Sequence, residues 1–285
     1  MFDKIVVGFD ESEGSRDALA YGGQLATRFG SEVVVVTSIP SPIGGSFSPA
    51  LPAEAYTRLQ DQARTAAEVA AAEVGGRAEV VESLSPARGV EQLAEEIGAD
   101  LIVIGCSKAD PGRVRAGRRA RHMMHGASCA VLMAPVGFAG SGSYPERVGV
   151  AVNGSAESGE AVATASVLAE GGTLSVISVA TDFAEYWGHW GATFALTDLA
   201  EAAREIAQRD IDEALAMVPD TVTAEGVLLE GSAAQELAER SSELDLLCLG
   251  SRRFGPVRRV LLGSVTSELV GSVGCAVLVT PRTDS

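Results

Sequence analysis
Runs of aliphatic and β-branched residues at 4–9, 32–38, 78–83, 100–105 and 129–134 punctuate the first half of the chain, with Ala-rich stretches between them. The runs are apolar at successive positions, not at every second one. Strands buried on both faces between helix layers have this pattern. The Ala-rich stretches read as helices, so this half is expected to hold five parallel strands and four helices in a doubly wound sheet. Right-handed crossovers then place any ligand at the carboxyl ends of the strands, where the winding direction reverses.

The same order of elements returns in the second half. IVVGFDES at 5–12 is echoed by VGVAVNGS at 148–155, and EQLAEEIGADLIVIG at 91–105 by QELAERSSELDLLCLG at 235–250. The closing runs SCAVLMAP, 128–135, and GCAVLVTP, 274–281, share Cys-Ala-Val-Leu and a terminal Pro. The expected organisation is therefore two tandem doubly wound five-stranded domains, 1–137 and 145–285. Residues 138–144, FAGSGSY, form a Gly/Ser-rich linker whose composition suits a flexible connection.

Composition narrows the function classes. A chain of 285 residues is long enough for two such domains. No apolar run approaches the roughly 20 residues that span a bilayer. The start MFDKIVVGFD carries an acid at Asp3 and runs straight into a strand, unlike a signal peptide, so a cytoplasmic location is expected. A formal charge of −16 argues against nucleic acid and anionic membrane as partners. Cys106, Cys129, Cys248 and Cys275 lie in apolar contexts without metal-ligand spacing and read as reduced, packed thiols.

Candidate chemistry concentrates in one loop of each half. LGSRRFGPVRRVLLGSVTSEL, 249–269, is a Gly-containing loop leading to Gly263-Ser264 at a helix start. Such a start offers unpaired amides, and Ser264 and Thr266 add hydroxyls, a combination suited to phosphate. Arg252, Arg253, Arg258 and Arg259 crowd this loop, although residues 145–285 hold 9 basic against 21 acidic side chains. A solvated or ion-paired face is the competing explanation of that cluster.

This loop resembles the Gly-x2-Gly-x9-Gly-(Ser/Thr) signature of ATP-binding members of the universal stress protein family, whose first strand also ends in an Asp. The resemblance covers both halves. It implies an adenine-nucleotide alpha-hydrolase-like, Rossmann-like fold, with the two halves related by a pseudo-twofold, and a role as a stress-response sensor that binds ATP or another adenine nucleotide, with or without Mg2+. In the second half Gly250 takes the first signature position, Arg253 replaces the second glycine, Gly263-Ser264 supplies the last pair, and Asn153 replaces the Asp. Carried over residue by residue, Val152 and Asn153 lie near base and ribose, Val179 and Leu249 form walls, and Gly250, Arg252, Gly263, Ser264, Val265 and Thr266 surround the phosphates. The first half keeps Asp10 and Gly105, but Lys108 stands for the second glycine. Gly117 there matches the third glycine and Arg118 replaces the Ser, a weaker cradle. Its arginines Arg113, Arg115, Arg118, Arg119 and Arg121 suit an anion or the acidic surface of a partner. In family dimers the last strands pair across the twofold, which could bring Cys129 near Cys275; buried free cysteines are the default. The fused halves imply an intramolecular pseudo-dimer, and pairing into a homodimer remains open.

Other groups carry less. His122 and His125, three apart on a helix, lack a third ligand, and no metal site is expected. TDFAEYWGHWGATF, 181–194, gathers aromatic residues whose expected role is packing. SIPSPIGGSFSPALP, 38–52, reads as a mobile lid. The only lysines, Lys4 and Lys108, do not sit in a P-loop pattern, and GxSxG, HExxH and GxGxxG are missing. No catalytic residue is visible, so the chain is not expected to be an enzyme. Three functions remain: nucleotide binding, a scaffold that has lost its nucleotide and acts through unidentified protein partners, and slow ATP hydrolysis.

Overall fold
The computed structural model describes residues 2–41, 52–106, 110–115, 117–124, 126–181, 193–251, 260, 263–271 and 273–281, and of 118, 119, 122, 141 and 193–197 the backbone alone. The chain divides into two compact units, Met1–Tyr144 and Pro145–Ser285.

In the first unit the order is β1 (Lys4–Gly8), α1 (Glu13–Phe29), β2 (Glu32–Pro40), α2 (Ala53–Glu73), β3 (Arg77–Ser83), α3 (Pro86–Glu96), β4 (Leu101–Gly105), α4 (Arg118–Met123), β5 (Ala130–Ala134) and α5 (Phe138–Ser141). Its strands run parallel in the order β3-β2-β1-β4-β5. Ile5, Val6, Val7, Leu101, Ile102 and Val103 are fully buried, so β1 and β4 are covered on both faces. This is why their runs show no alternation. Edge strand β3 is only half-buried.

The second unit repeats the scheme with β6 (Arg147–Ala151), α6 (Ala156–Leu168), β7 (Thr173–Thr181), α7 (Thr193–Leu215), β8 (Thr223–Gly231), α8 (Ala233–Arg240), β9 (Leu246–Gly250), α9 (Ser264–Leu269) and β10 (Ala276–Thr280). Its strands lie parallel in the order β8-β7-β6-β9-β10. Both units thus have the doubly wound parallel sheet expected from the sequence, and the winding reverses between β6 and β9.

Equivalent local devices start equivalent elements. Ser12 and Ser155 each cap a helix, their hydroxyls accepting from the amides of Ser15 and Ser158 at 3.2 Å. The acid ahead of the fourth strand clamps the first: Asp100 accepts from the Lys4 amide at 2.9 Å. Asp245 accepts from the amides of Arg147 at 2.8 Å and Glu146 at 3.1 Å, and from the Arg147 guanidinium at 2.6 Å.

Residues 138–144 differ from the flexible connection that their composition suggests. Phe138–Ser141 form α5, and the buried Asp17 carboxylate of α1 accepts from the amides of Gly137 at 2.9 Å and Ala139 at 2.8 Å. Phe138 packs on Tyr21 with ring centroids 4.4 Å apart, and Gln24 donates to the Gly142 carbonyl at 2.8 Å. The segment is fastened along α1 by charge-assisted hydrogen bonds and an aromatic contact, which outweigh the backbone freedom of its glycines.

Candidate functional site
The loop after the first strand is built alike in both units. Asp10 Oδ1 accepts from the Ser12 amide at 3.2 Å, and Asn153 Oδ1 accepts from the Ser155 amide at 3.3 Å and the Ser155 hydroxyl at 2.7 Å. These are Asx-type turns that need a side-chain acceptor, which an amide supplies as well as a carboxylate does. The exchange of Asp for Asn in the second unit therefore keeps the turn and removes a charge. The middle residue of each turn has positive φ: Gly154 at 65° and Glu11 at 61°, the latter the one non-glycine so placed among the described residues.

A cavity of about 470 Å³ opens at the carboxyl ends of β6, β7 and β9, beside α7. That is within the range of small-molecule sites. Seven of the ten residues assigned to the second half line it: Val152, Asn153, Val179, Leu249, Gly250, Val265 and Thr266. Ile177, Leu199, Ala203, Ile206 and Ala207 make much of the remaining wall apolar. Gly263 and Ser264 are not among its walls; Gly263 caps and Ser264 begins α9, immediately before Val265. Arg252 and its neighbours Arg253, Arg258 and Arg259 lie outside the described residues.

The two signature glycines are glycine for different reasons. A Cβ on Gly250 would stand 2.5 Å from the Glu157 carbonyl oxygen, so the close approach of β9 to α6 already requires a bare Cα there. Gly105 is alike, where a Cβ would stand 1.8 Å from the Gly14 carbonyl oxygen. A Cβ added to Gly263 would meet no described atom within 4 Å, and its φ of −72° is ordinary. Packing among the described residues thus does not demand glycine at 263, and no described side chain fills the space beside it. Gly263 also cannot cap α9 through a side chain, which leaves the first amides of that helix without this partner.

Two polar groups in the cavity are not among the residues expected from the sequence. Ser251 is buried, and its hydroxyl has no hydrogen-bond partner among the described residues. Its counterpart Cys106 is satisfied within its own unit, its thiol 3.0 Å from the Ala134 carbonyl oxygen. Asp210 of α7 is 7% exposed. Burial pushes its carboxyl pKa up against the opposing pull of the Arg209 guanidinium 4.0 Å away. A signal for Asp210 is present in the sequence: it lies on a stripe with Ala203, Ile206, Ala207 and Ala214 at helical spacing, where an apolar residue is expected.

In the first unit Asp10 is exposed, Gly105 ends β4, and Gly117 directly precedes α4 as Gly263 precedes α9. A cavity of about 650 Å³ between the loop after β1 and α2 has Phe9, Glu11, Arg16 and Asp61 in its walls, and none of those three residues. Lys108, His125, the segment 42–51 and most of the aromatic cluster, 182–192, lie outside the described residues, as do the side chains of Arg118, Arg119, His122 and Phe194. No group of three metal-ligating side chains occurs among the described residues, and no described helix is long and apolar enough to cross a membrane. All four cysteines are buried and free. Burial pushes the Cys106 thiol up to about 11 and Cys129 up to about 12, and moves Cys248 and Cys275 upward as well, which disfavours the reactive thiolate.

Comparison with known proteins agrees with this architecture. The sequence profile of the universal stress protein family matches residues 1–135 and again 145–281. A universal stress protein from Archaeoglobus fulgidus DSM 4304 has a similar structure, with a TM-score of 0.69 and 18% identity over 99% of both chains. A functionally unknown protein from Pseudomonas aeruginosa PAO1 has a TM-score of 0.62 and 18% identity, covering 98% of this chain and 92% of the other. At these identities the likeness is one of fold. No curated protein matches the chain. The two family matches together span nearly all of the sequence, and the chain belongs to the universal stress protein family as a tandem of two such domains.

Proposed function
We propose that the second unit binds ATP or a related adenine nucleotide in the cavity beside α7, and that binding, not turnover, is its task. The observation that carries this reading is the convergence of β6, β7, β9, α7 and α9 on one mostly apolar cavity at the winding reversal. An apolar slot walled by Ile177, Val179, Ile206 and Leu249 suits a purine ring. Gly263, whose Cβ position meets no described atom, the start of α9 without a side-chain cap, and the Ser251 hydroxyl, without a partner among the described residues, suit the polar remainder. If Mg2+ accompanies the nucleotide it supplies charge neutralisation at the phosphates. Asp210 is the single titratable side chain among the cavity's described walls, and the reading gives it no role as a general base.

Native mass spectrometry of the freshly purified chain, followed by ATP titration, tests this reading. The expected result is one retained or added adenine nucleotide per chain, lost in a Gly263→Arg, Ser264→Ala variant. Because a Cβ at Gly263 meets no described atom within 4 Å, that variant is expected to fold. Absence of nucleotide and of any binding signal in the wild type would favour a scaffold that presents surfaces to protein partners. Phosphate release above the variant's would argue for hydrolysis.

A further inference from the structure
We infer that Asp210 is the ribose-selecting residue of the second unit's cavity, so that the nucleotide it takes is a ribonucleotide with a free 2′-hydroxyl; this rests on the nucleotide reading above. The carboxylate lines the cavity while its side chain is only 8% exposed. No hydrogen bond from a described residue reaches it; of its charged neighbours among the described residues, Arg209 at 4.0 Å is 61% exposed and Glu213 carries a like charge. An ionised carboxylate left in that state is costly to fold around, unless something outside the chain supplies donors. Its two oxygens accept and do not donate when ionised, so the partner must bring hydroxyl or amine hydrogens. A ribose diol brings two on adjacent carbons, the pairing that acidic residues make in other Rossmann-like sites.

The two units differ here in a reciprocal way. The buried stripes Ala63, Ala67 and Ala70 of α2 and Ala207, Ile211 and Ala214 of α7 keep one spacing, which places Ala66 opposite Asp210. The turn facing that position carries Asp10 and Glu11 in the first unit, and Asn153 and Gly154 in the second. A Cβ at Gly154 would come within 2.6 Å of Asp210 Oδ1, so a side chain at the middle of this turn would require the Asp210 carboxylate to move. The second unit therefore carries neither acid of the turn and has one from the helix instead, buried at the cavity wall beside Gly154. Loss of the turn's charge at Asn153 does not leave this cavity without a carboxylate.

Titration calorimetry of the full chain with ATP, 2′-deoxy-ATP and ITP decides the point, for the wild type and for Asp210→Leu, a near-isosteric change. The wild type is expected to bind ATP at least about tenfold more tightly than 2′-deoxy-ATP, the discrimination typical of a lost hydrogen bond to a charged group. In Asp210→Leu the ratio falls to within about threefold, through weaker ATP binding and not through tighter 2′-deoxy-ATP binding. The variant is expected to fold, since it removes an unpaired buried charge; Asp210→Asn provides a second variant of unchanged shape. Equal wild-type affinity for the two sugars, or a preference that survives in Asp210→Leu, overturns the inference while leaving nucleotide binding intact. So does a loss confined to the discrimination of ATP from ITP, which would assign Asp210 to the base. A wild type that binds none of the three overturns the nucleotide reading itself.

Discussion
At Gly250 and Gly263 the same residue type answers two different needs. Gly250→Ala pushes a methyl against the Glu157 carbonyl at 2.5 Å and is expected to destabilise the chain by about 1–3 kcal/mol. Gly263→Ala meets no described atom within 4 Å at an ordinary φ and is expected to change stability by less than about 0.5 kcal/mol. Chemical denaturation of both variants checks the contrast; a large loss at Gly263 would show that packing requires glycine there after all. Glu11 offers a second residue-scale test. It holds a left-handed φ of 61° where its counterpart is Gly154. Glu11→Gly is therefore expected to stabilise by roughly 0.5–1 kcal/mol, the relieved strain less the entropy that glycine adds to the unfolded chain. A loss of stability would mean that the Glu11 side chain holds contacts worth more than its strain. Spacing could show that an aspartate or asparagine ends the first strand, but not that its oxygen is engaged in a turn, because that depends on the backbone φ of the next residue.

Among elements, strands were the most legible. β1, β4 and β5 are buried on both faces, so hydrophobicity alone marks them, within a residue or two of their observed ends, and β6, β9 and β10 repeat the pattern. The segment 138–144 was not legible, since its order comes from Asp17, far away in sequence, and local composition carries no trace of that partner. Asp17→Ala leaves the amides of Gly137 and Ala139 without their acceptor and is expected to cost about 1.5–3 kcal/mol. Hydrogen exchange should show faster exchange at those two amides, while unchanged exchange would deny that the carboxylate holds α5. The clamp between β6 and β9 adds a pH dependence. Burial pushes the Asp245 carboxyl up, and hydrogen bonds from Arg147 and the Glu146 amide outweigh it, holding the pKa below the ordinary carboxylate value. A lowered folded pKa means that the clamp's contribution is fully present above the unfolded value, near about 4. It is lost as pH falls through the lowered one. Asp245→Asn should therefore reduce stability at pH ~7 and make little difference near pH ~2; an equal reduction at both would contradict this account.

For the whole molecule, duplication was plain in the sequence because matching segments keep their order and spacing through both halves. Function was less plain, because the two halves vary independently at the loops and a resemblance assigns positions without their surroundings. The second unit gathers Val152, Asn153, Val179, Leu249, Gly250, Val265 and Thr266 on one cavity. The residues expected from the sequence leave out Ser251, whose hydroxyl has no hydrogen-bond partner among the described residues, and Asp210, whose burial is visible only once the chain is folded. The apolar spacing of Ala203, Ile206, Ala207 and Ala214 on α7 places position 210 on the interior face, so half of its signal is present in the sequence.

The central claim is that this cavity holds an adenine nucleotide. Its most direct test is calorimetric titration of the full chain with ATP, repeated on an Ala207→Trp variant that fills the cavity from α7. The account predicts saturable binding at one site per chain in the wild type and none in the variant, with the variant's fold confirmed by circular dichroism. Binding that persists unchanged in Ala207→Trp, or a wild type that takes up no ATP, would contradict it.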